Sequence, residues 1–313
     1  MPEEFKISVI IPCFNEDGNI ELIYTELVKQ LHKYNSYEIL FVDDGSTDST
    51  LDAIKQLCEE PESTVRFISL SRNFGHQNAL KAGLDFATGD CVISMDGDMQ
   101  HPTETIDLLI AKWLEGYEVV YTIRKESRDL PLFKKYTSKL FYKLMNYISD
   151  YEIKNGAADF RLLDRKVVNV LKNLPENFLF FRGLVSWVGF KQAEIVYIPN
   201  ERYSGQTKYS VSKMMHFASS GITSFSVKPL KLSIIIGVII ASVAFIYALF
   251  VLWAFLFTNR AIQGWTSVIL SVLFIGGIQL IMIGIIGEYM GKMFLENKRR
   301  PNYIIRENNI DKL

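Results

Sequence analysis

Two runs without a charged residue, Leu232–Phe257 and Ala261–Gly287, restrict this chain more than any other feature. A helix over the first run, at about 1.5 Å per residue, extends about 39 Å. That is enough to cross a hydrocarbon core of roughly 30 Å with tilt. Core helices of a soluble protein seldom run this far without a charge, so the pattern predicts two membrane spans. The link Thr258–Gly264 is short, which makes them an antiparallel hairpin. Lys228 and Lys231 precede the hairpin, Lys292, Lys298, Arg299 and Arg300 follow it, and the link carries only Arg260. Flanking positive charge stays in the cytoplasm, so both termini and the large preceding domain are expected there. Trp253 and Trp265 then fall near the outer interface. The segment Tyr209–Val227 mixes Met214, Met215, Phe217, Ile222 and Phe225 with serines, as an amphipathic stretch on the inner membrane surface does. The expected organisation is a cytoplasmic domain over 1–208, an interfacial segment over 209–231, two transmembrane helices within 232–287 and a cytoplasmic tail over 288–313.

Nearly all of the positive mean hydropathy comes from residues after Lys231. The rest reads as a charged globular chain. A net charge of -1 argues against a nucleic-acid partner, which calls for a basic surface. Aromatic residues at 13% exclude a disordered chain. Cys13, Cys58 and Cys91 are widely spaced, so neither a disulfide framework nor a cysteine zinc site is expected. Glu3 and Glu4 precede a short apolar run, and no signal peptide is expected.

Within the first domain, apolar β-branched runs alternate with helix-length segments. The runs are Lys6–Ile11, Tyr37–Val42, Val65–Leu70, Cys91–Met95 and Glu118–Ile123; the helical segments are Ile20–His32, Asp48–Cys58, Gln77–Phe86 and Glu104–Glu115. This alternation predicts an α/β fold with a mostly parallel sheet, whose ligands sit beyond the carboxyl ends of the strands. Each run does end in polar chemistry. Pro12-Cys13-Phe14-Asn15-Glu16 follows the first, and Asp43-Asp44-Gly45-Ser46-Thr47-Asp48 follows the second. Ser46 or Thr47 is expected to cap the next helix. Adjacent acids repel and gain nothing structurally, so Asp43 and Asp44 are expected to serve a base or ribose. After the fourth run, Asp96-Gly97-Asp98 places two carboxylates on one side of an extended segment, and Gly97 permits close backbone approach to a ligand. A cation between the acids would relieve their repulsion, and hard oxygen donors favour Mg2+ or Mn2+. His101 reads as a turn residue before Pro102.

This ordered series resembles the family 2 glycosyltransferases with the GT-A nucleotide-sugar-binding fold. More narrowly, it is similar to the polyprenyl-phosphate sugar transferases, which include bactoprenol (undecaprenyl-phosphate) glucosyltransferases and dolichyl-phosphate mannose synthases. Ser69–Asp90, Phe181-Arg182-Gly183, Arg202-Tyr203, Gly205, Thr207-Lys208 and Gly287-Glu288-Tyr289 extend the likeness over nearly the whole chain. The resemblance implies an inverting transfer of one sugar from a nucleotide sugar, UDP-glucose in preference to GDP-mannose, to a polyprenyl phosphate. The reaction would occur on the cytoplasmic face of a bacterial-type inner membrane. It assigns Pro12, Asn15, Glu16, Asp43, Asp44, Arg72, Asp96 and Gln100 to the nucleotide sugar, and Asp98 with Asp96 to the metal. Arg124, Lys134, Ser138 and Arg202 fall to the acceptor phosphate, and Asp159 and Asp98 to catalysis. Position 134 is lysine where some relatives have arginine, which keeps the charge and loses the bidentate fork. The family places the aspartate of Asn155–Arg161 as a base. A lipid monophosphate with a second pKa near 6 is already an anionic nucleophile at neutral pH, so Asp159 is free to act as an orienter, and pairing with Arg161 is its structural alternative.

Two other functions compete. A processive polysaccharide synthase calls for more spans and a Gln-x-x-Arg-Trp pattern, whereas Phe178–Trp187 offers Arg182 followed by glycine. A non-catalytic lipid-linked sugar carrier or flippase component has no need of an intact acid-x-acid motif. Gly276, Gly277, Gly284 and Gly287 allow close helix packing and hence a homo-oligomer. All donor-site residues precede Lys231, so a chain ending near Ser226 is expected to keep donor binding.

Overall fold

The computed structural model describes residues 4–60, 63–125, 157–176, 179–199, 228–258 and 264–310. Four parallel strands form the centre: β1 (Lys6–Cys13), β2 (Ser36–Asp43), β3 (Val65–Leu70) and β4 (Cys91–Ser94). Helices α1 (Asp17–Leu31), α2 (Thr50–Cys58) and α3 (His76–Phe86) connect them, and α4 (Thr105–Leu114) leads to β5 (Val119–Arg124). Parallel strands covered on both faces read as nearly continuous apolar runs. In β1, Ile7, Val9, Ile10 and Ile11 are all fully buried. Helix α1 turns Ile20, Ile23, Leu27 and Leu31 to the sheet. Helix α3 lies so close to β1 that a Cβ at Gly83 would sit 2.2 Å from Ile10 Cγ2.

The sheet continues beyond the elements that periodicity predicted. β6 (Ala157–Asp164) runs antiparallel between β4 and β5, and β7 (Gln192–Tyr197) pairs parallel with β5. Helices α5 (Arg165–Lys172) and α6 (Phe181–Trp187) lie between β6 and β7 in the chain. β6 escapes a reading by apolar runs because it buries Asp159 and Arg161, charges that a strand interior tolerates only when they meet partners. β8 (Ile305–Asn308) closes the other edge against β3. Among the described residues the order is β7-β5-β6-β4-β1-β2-β3-β8.

The chain divides into two compact units. One comprises Met1–Asn146, Tyr151–Ser210 and Arg300–Leu313; the other comprises Tyr147–Asp150 and Val211–Arg299. The second contains α7 (Lys228–Thr258) and α8 (Trp265–Asn297). Helix α8 does not stop with the uncharged run at Gly287. It continues through Glu288, Lys292 and Glu296, residues with good helix propensity. Among the described residues, one stretch, Phe274–Asn297, is long and apolar enough to cross a membrane by length and composition, and Ser233–Tyr247 is a shorter apolar stretch.

The start of α2 corrects one expectation. Neither Ser46 nor Thr47 caps it; Asp48 Oδ1 accepts from Thr50 N at 3.0 Å. Ser46 Oγ instead accepts from Asn15 N at 3.0 Å, and Asn15 Oδ1 accepts from Thr47 N at 2.9 Å. These polar residues tie the tip of β1 to the tip of β2.

Candidate active site

The carboxyl ends of β1, β2 and β4 surround a pocket of about 280 Å³ lined by Pro12, Cys13, Glu16, Asp44, Asp96 and Asp98, with Asn73 and Gly75 from the loop after β3 and His76 from the start of α3. Parallel strands bring these separate segments side by side, as Asp44 N donating to Cys13 O at 2.8 Å illustrates. Asp96 and Asp98 both line this one cavity, with Gly97 and Asp98 in a turn rather than in the extended segment expected. Gly97 also lines the cavity, and a Cβ there would lie 3.3 Å from Cys13 Sγ, so glycine lets the acid turn pack on β1.

Asp43 and Asp44 do have structural partners, which corrects the sequence argument. Asp43 is buried; its Oδ1 accepts from Ser46 N at 3.0 Å and its Oδ2 from Ser69 Oγ at 2.8 Å. Asp44 Oδ1 accepts from Phe74 N at 2.7 Å and Oδ2 from Gly75 N at 2.9 Å. Burial pushes the Asp44 carboxyl above its ordinary range, although the two amides pull it partway back. Gly45, at φ +70, takes a backbone conformation costly for side chains. A Cβ there would also lie 2.4 Å from Arg72 C. Arg72 donates to Asn73 O at 3.0 Å and stacks its guanidinium 4.1 Å from the Phe74 ring centroid.

The opposite wall is built from charged side chains. Asp96 Oδ2 lies 3.0 Å from His101 Nε2, and Asp96 Oδ1 lies 3.4 Å from His76 Nε2. His101 is therefore not a simple turn residue. Its buried ring packs 4.8 Å from Phe160 and holds Asp96 in place. Burial raises the Asp96 carboxyl, but the His101 hydrogen bond and the nearby His76 outweigh it and leave it below the usual range. Asp98 Oδ1 accepts from Gln100 N at 3.2 Å, and Gln100 Oε1 accepts from Arg124 Nη1 at 3.2 Å.

Asp159 sits behind this wall on β6, 6% exposed. Its Oδ1 accepts from Arg161 Nη2 at 2.8 Å and Arg182 Nε at 3.1 Å, and its Oδ2 from Arg182 Nη2 at 3.1 Å. Burial alone would raise its pKa. The Arg182 and Arg161 charges reverse that and hold the carboxyl well below the usual carboxylate range. His76 Nε2, 3.8 Å from Asp159 Oδ2, stands between Asp96 and Asp159. The sequence argument gave no site role to His76, Gln77 or Arg182. Gln77 reaches Asp159 Oδ2 at 3.5 Å and accepts from Phe181 N at 2.9 Å. The signals that pointed towards them were their place in the resembling segments Ser69–Asp90 and Phe181-Arg182-Gly183 and, for His76 and Gln77, the start of a helix after a strand tip. Lys134, Ser138 and Arg202 lie outside the described residues.

Two carboxylates open to one pocket fit a hard divalent cation whose other ligands come from phosphate and water. Among the described residues, no group of three or more His, Cys, Asp and Glu forms a self-sufficient metal cage.

The family model described as glycosyl transferase family 2 matches residues 8–171, and that of the GtrB C-terminal hairpin matches residues 228–293. The chain is 43% identical over 303 residues to the prophage bactoprenol glucosyl transferase homolog of Escherichia coli K12, covering 96% of this chain and 98% of the relative. It is 42% identical over 308 residues to the uncharacterized glycosyltransferase YkcC of Bacillus subtilis, covering 98% and 95% respectively. It is also 41% identical over 303 residues to the bactoprenol glucosyl transferase of Shigella phage SfX, covering 96% and 99%.

Proposed function

On the premise that the chain belongs to glycosyl transferase family 2, we propose that it transfers one sugar from a nucleotide sugar to a polyprenyl phosphate. UDP-glucose is the preferred donor in this reading, ahead of GDP-mannose, and undecaprenyl phosphate is the acceptor. The full-length similarity to bactoprenol glucosyl transferases supports the acceptor class. The observation that carries the reading is the strand-tip pocket, which gathers Glu16, Asp44, Asp96 and Asp98 beside an ionised Asp159.

Pro12, Asn15, Glu16, Asp43 and Asp44 form or brace the nucleoside end, with Arg72, Asp96 and Gln100 towards the diphosphate and sugar. Asp98, with Asp96, would hold Mg2+ or Mn2+, which when bound supplies positive charge opposite the diphosphate. An acceptor phosphate, dianionic above its second pKa near 6, presents an unprotonated oxygen and needs no strong base. Its attack opposite the departing nucleotide forms the new sugar–oxygen bond and inverts the anomeric carbon. Asp159, clamped by two arginines, orients Arg182 and the acceptor and is a poor proton acceptor. Arg124, Lys134, Ser138 and Arg202 are assigned to the acceptor phosphate.

The hairpin helices α7 and α8 are assigned to two spans of a bacterial inner membrane, with the catalytic domain, both termini and the 209–231 segment on the cytoplasmic side. Glycines in α8 make a homo-oligomer part of the same proposal. The test offers purified protein in lipid a panel of nucleotide sugars with undecaprenyl phosphate and reads the lipid product by mass spectrometry. A product heavier by one sugar is expected. A polymer ladder would point to a processive synthase, and absence of lipid product with every donor would overturn the reading.

A further inference from the structure

The last described residues return to the sheet edge beside the pocket. In the β3–β8 ladder Ile305 lies opposite Leu70, Glu307 opposite Ser69 and Asn308 opposite Ile68, with a register shift between Ser69 and Leu70. Just past the ladder, Ser71 N donates to Ile304 O at 2.9 Å. Asn309 Oδ1 accepts from Phe67 N at 2.7 Å, and Lys55 pairs with Glu307 at 2.7 Å. On the helical side, Tyr303 donates its hydroxyl to Asp85 Oδ2 at 2.8 Å, and Asn302 Nδ2 donates to Glu176 O at 3.0 Å. Ile310 is buried.

The ladder and the Ser71 and Asn309 contacts fasten the strand whose tip carries one wall of the pocket, and the Tyr303 contact fastens α3, which begins where the loop after that strand ends. Residues 72–76 follow at once: the Arg72 backbone packs on Gly45, the Phe74 and Gly75 amides hold Asp44, and Asn73, Gly75 and His76 line the cavity. A loop with this many functional atoms is held only as well as the strand it leaves. β3 has β2 on one side and, among the described residues, β8 alone on the other.

We propose that residues 302–310 are a positioning element of the donor site, fastening β3 so that residues 72–76 present the Asp44 side of the pocket to the nucleotide sugar. This rests on the reading of that pocket as the donor site. It reverses the expectation that a chain ending near Ser226 keeps donor binding. Such a chain retains every pocket-lining residue and loses the strand that braces their wall.

The test uses the full-length protein in lipid with Tyr303→Phe/Asn309→Ala, which removes the Asn309 side-chain bonds to Phe67 N and Val65 O of β3 and the Tyr303 bond to Asp85 of α3, and leaves the pocket residues unchanged. Hydrogen exchange of residues 71–79 should speed by about tenfold, the scale of one or two lost hydrogen bonds, while β1 and β2 exchange as before. With UDP-glucose, KM should rise about five- to tenfold and kcat should stay within about twofold. Replacing Asn309→Ala by Asn309→Asp in the double variant restores the short acceptor for Phe67 N but not the longer Nδ2 bond to Val65 O, and should recover part of the KM. Unchanged exchange in 71–79 would overturn the proposal, and so would an equal rise across β1 and β2, the mark of a purely global role. If the unmodified protein uses neither UDP-glucose nor GDP-mannose, the functional reading fails, and the exchange data alone decide whether the segment braces the loop.

Discussion

Two walls of one pocket hold carboxylates by different means. On the β2 side, Asp43 and Asp44 are bound by backbone amides and a serine hydroxyl. On the β4–β6 side, Asp96 is held by histidines and Asp159 by two arginines. Amides are neutral donors fixed by the chain trace, so the first wall is a matter of shape. Cationic side chains bring charge as well, and the same acid group becomes easier to ionise. The carboxyl shifts follow suit, upward at Asp44 and downward at Asp159.

The largest effect should come from breaking the charged wall. Asp159→Ala leaves Arg161, 3% exposed, without its carboxylate. Removing one partner of such a buried pair costs about 3–5 kcal/mol, to be read from denaturant unfolding, with turnover lost. An unchanged unfolding midpoint would refute the ion-pair account. Next comes Asp98→Asn, which removes charge where the departing diphosphate is placed. Turnover should fall by about 10²–10³, the scale of a lost electrostatic stabiliser, with folding intact. Full activity of that variant in excess chelator would dismiss Asp98 as the metal ligand.

Asp44→Asn sharpens the contrast further. An amide can accept from only one of Phe74 N and Gly75 N and turns its own N–H towards the other, costing about 1–3 kcal/mol. Faster amide exchange at Phe74 and Gly75 and a higher KM for UDP-glucose should report it. Asp43→Asn should cost less, about 0.5–1.5 kcal/mol, because the Ser69 hydroxyl can rotate and accept from the new amide. A larger effect at position 43 than at 44 would contradict the amide-cradle argument.

Acid should separate the walls with the smallest perturbation. Asp159 has a depressed folded pKa, so its stabilising contribution is present above the unfolded value of about 3.9 and is lost only as pH falls below it. Asp44 has a raised folded pKa and takes up its proton first. As pH falls from 7 towards about 4, UDP-glucose binding should weaken before the fold does. Between pH 5 and 8, turnover should show no limb belonging to Asp159. Simultaneous loss of binding and folding would show that the walls do not titrate separately.

Much of this site was legible in the residues. The five apolar runs up to Glu118–Ile123 became β1 to β5, and the tips of β1, β2 and β4 carried the acids seen there. What escaped was of two kinds. β6 buries Asp159 and Arg161, so its polar residues hide a strand that only mutual pairing makes possible. β8 is four residues, Ile-Arg-Glu-Asn, with no apolar pattern, and its partner is more than 200 residues earlier in the chain.

The sequence by itself determined the period of the elements, the uncharged helical runs and the placement of acids at strand ends. Those are local properties, set by side-chain alternation, turn chemistry and charge along a few consecutive residues. Only the tertiary structure decided which acids meet amides and which meet arginines, that His76 stands between Asp96 and Asp159, and that β8 pairs with β3. These depend on which strands become neighbours. Strand order is settled by how the whole sheet satisfies its buried polar groups, and no short segment carries that information.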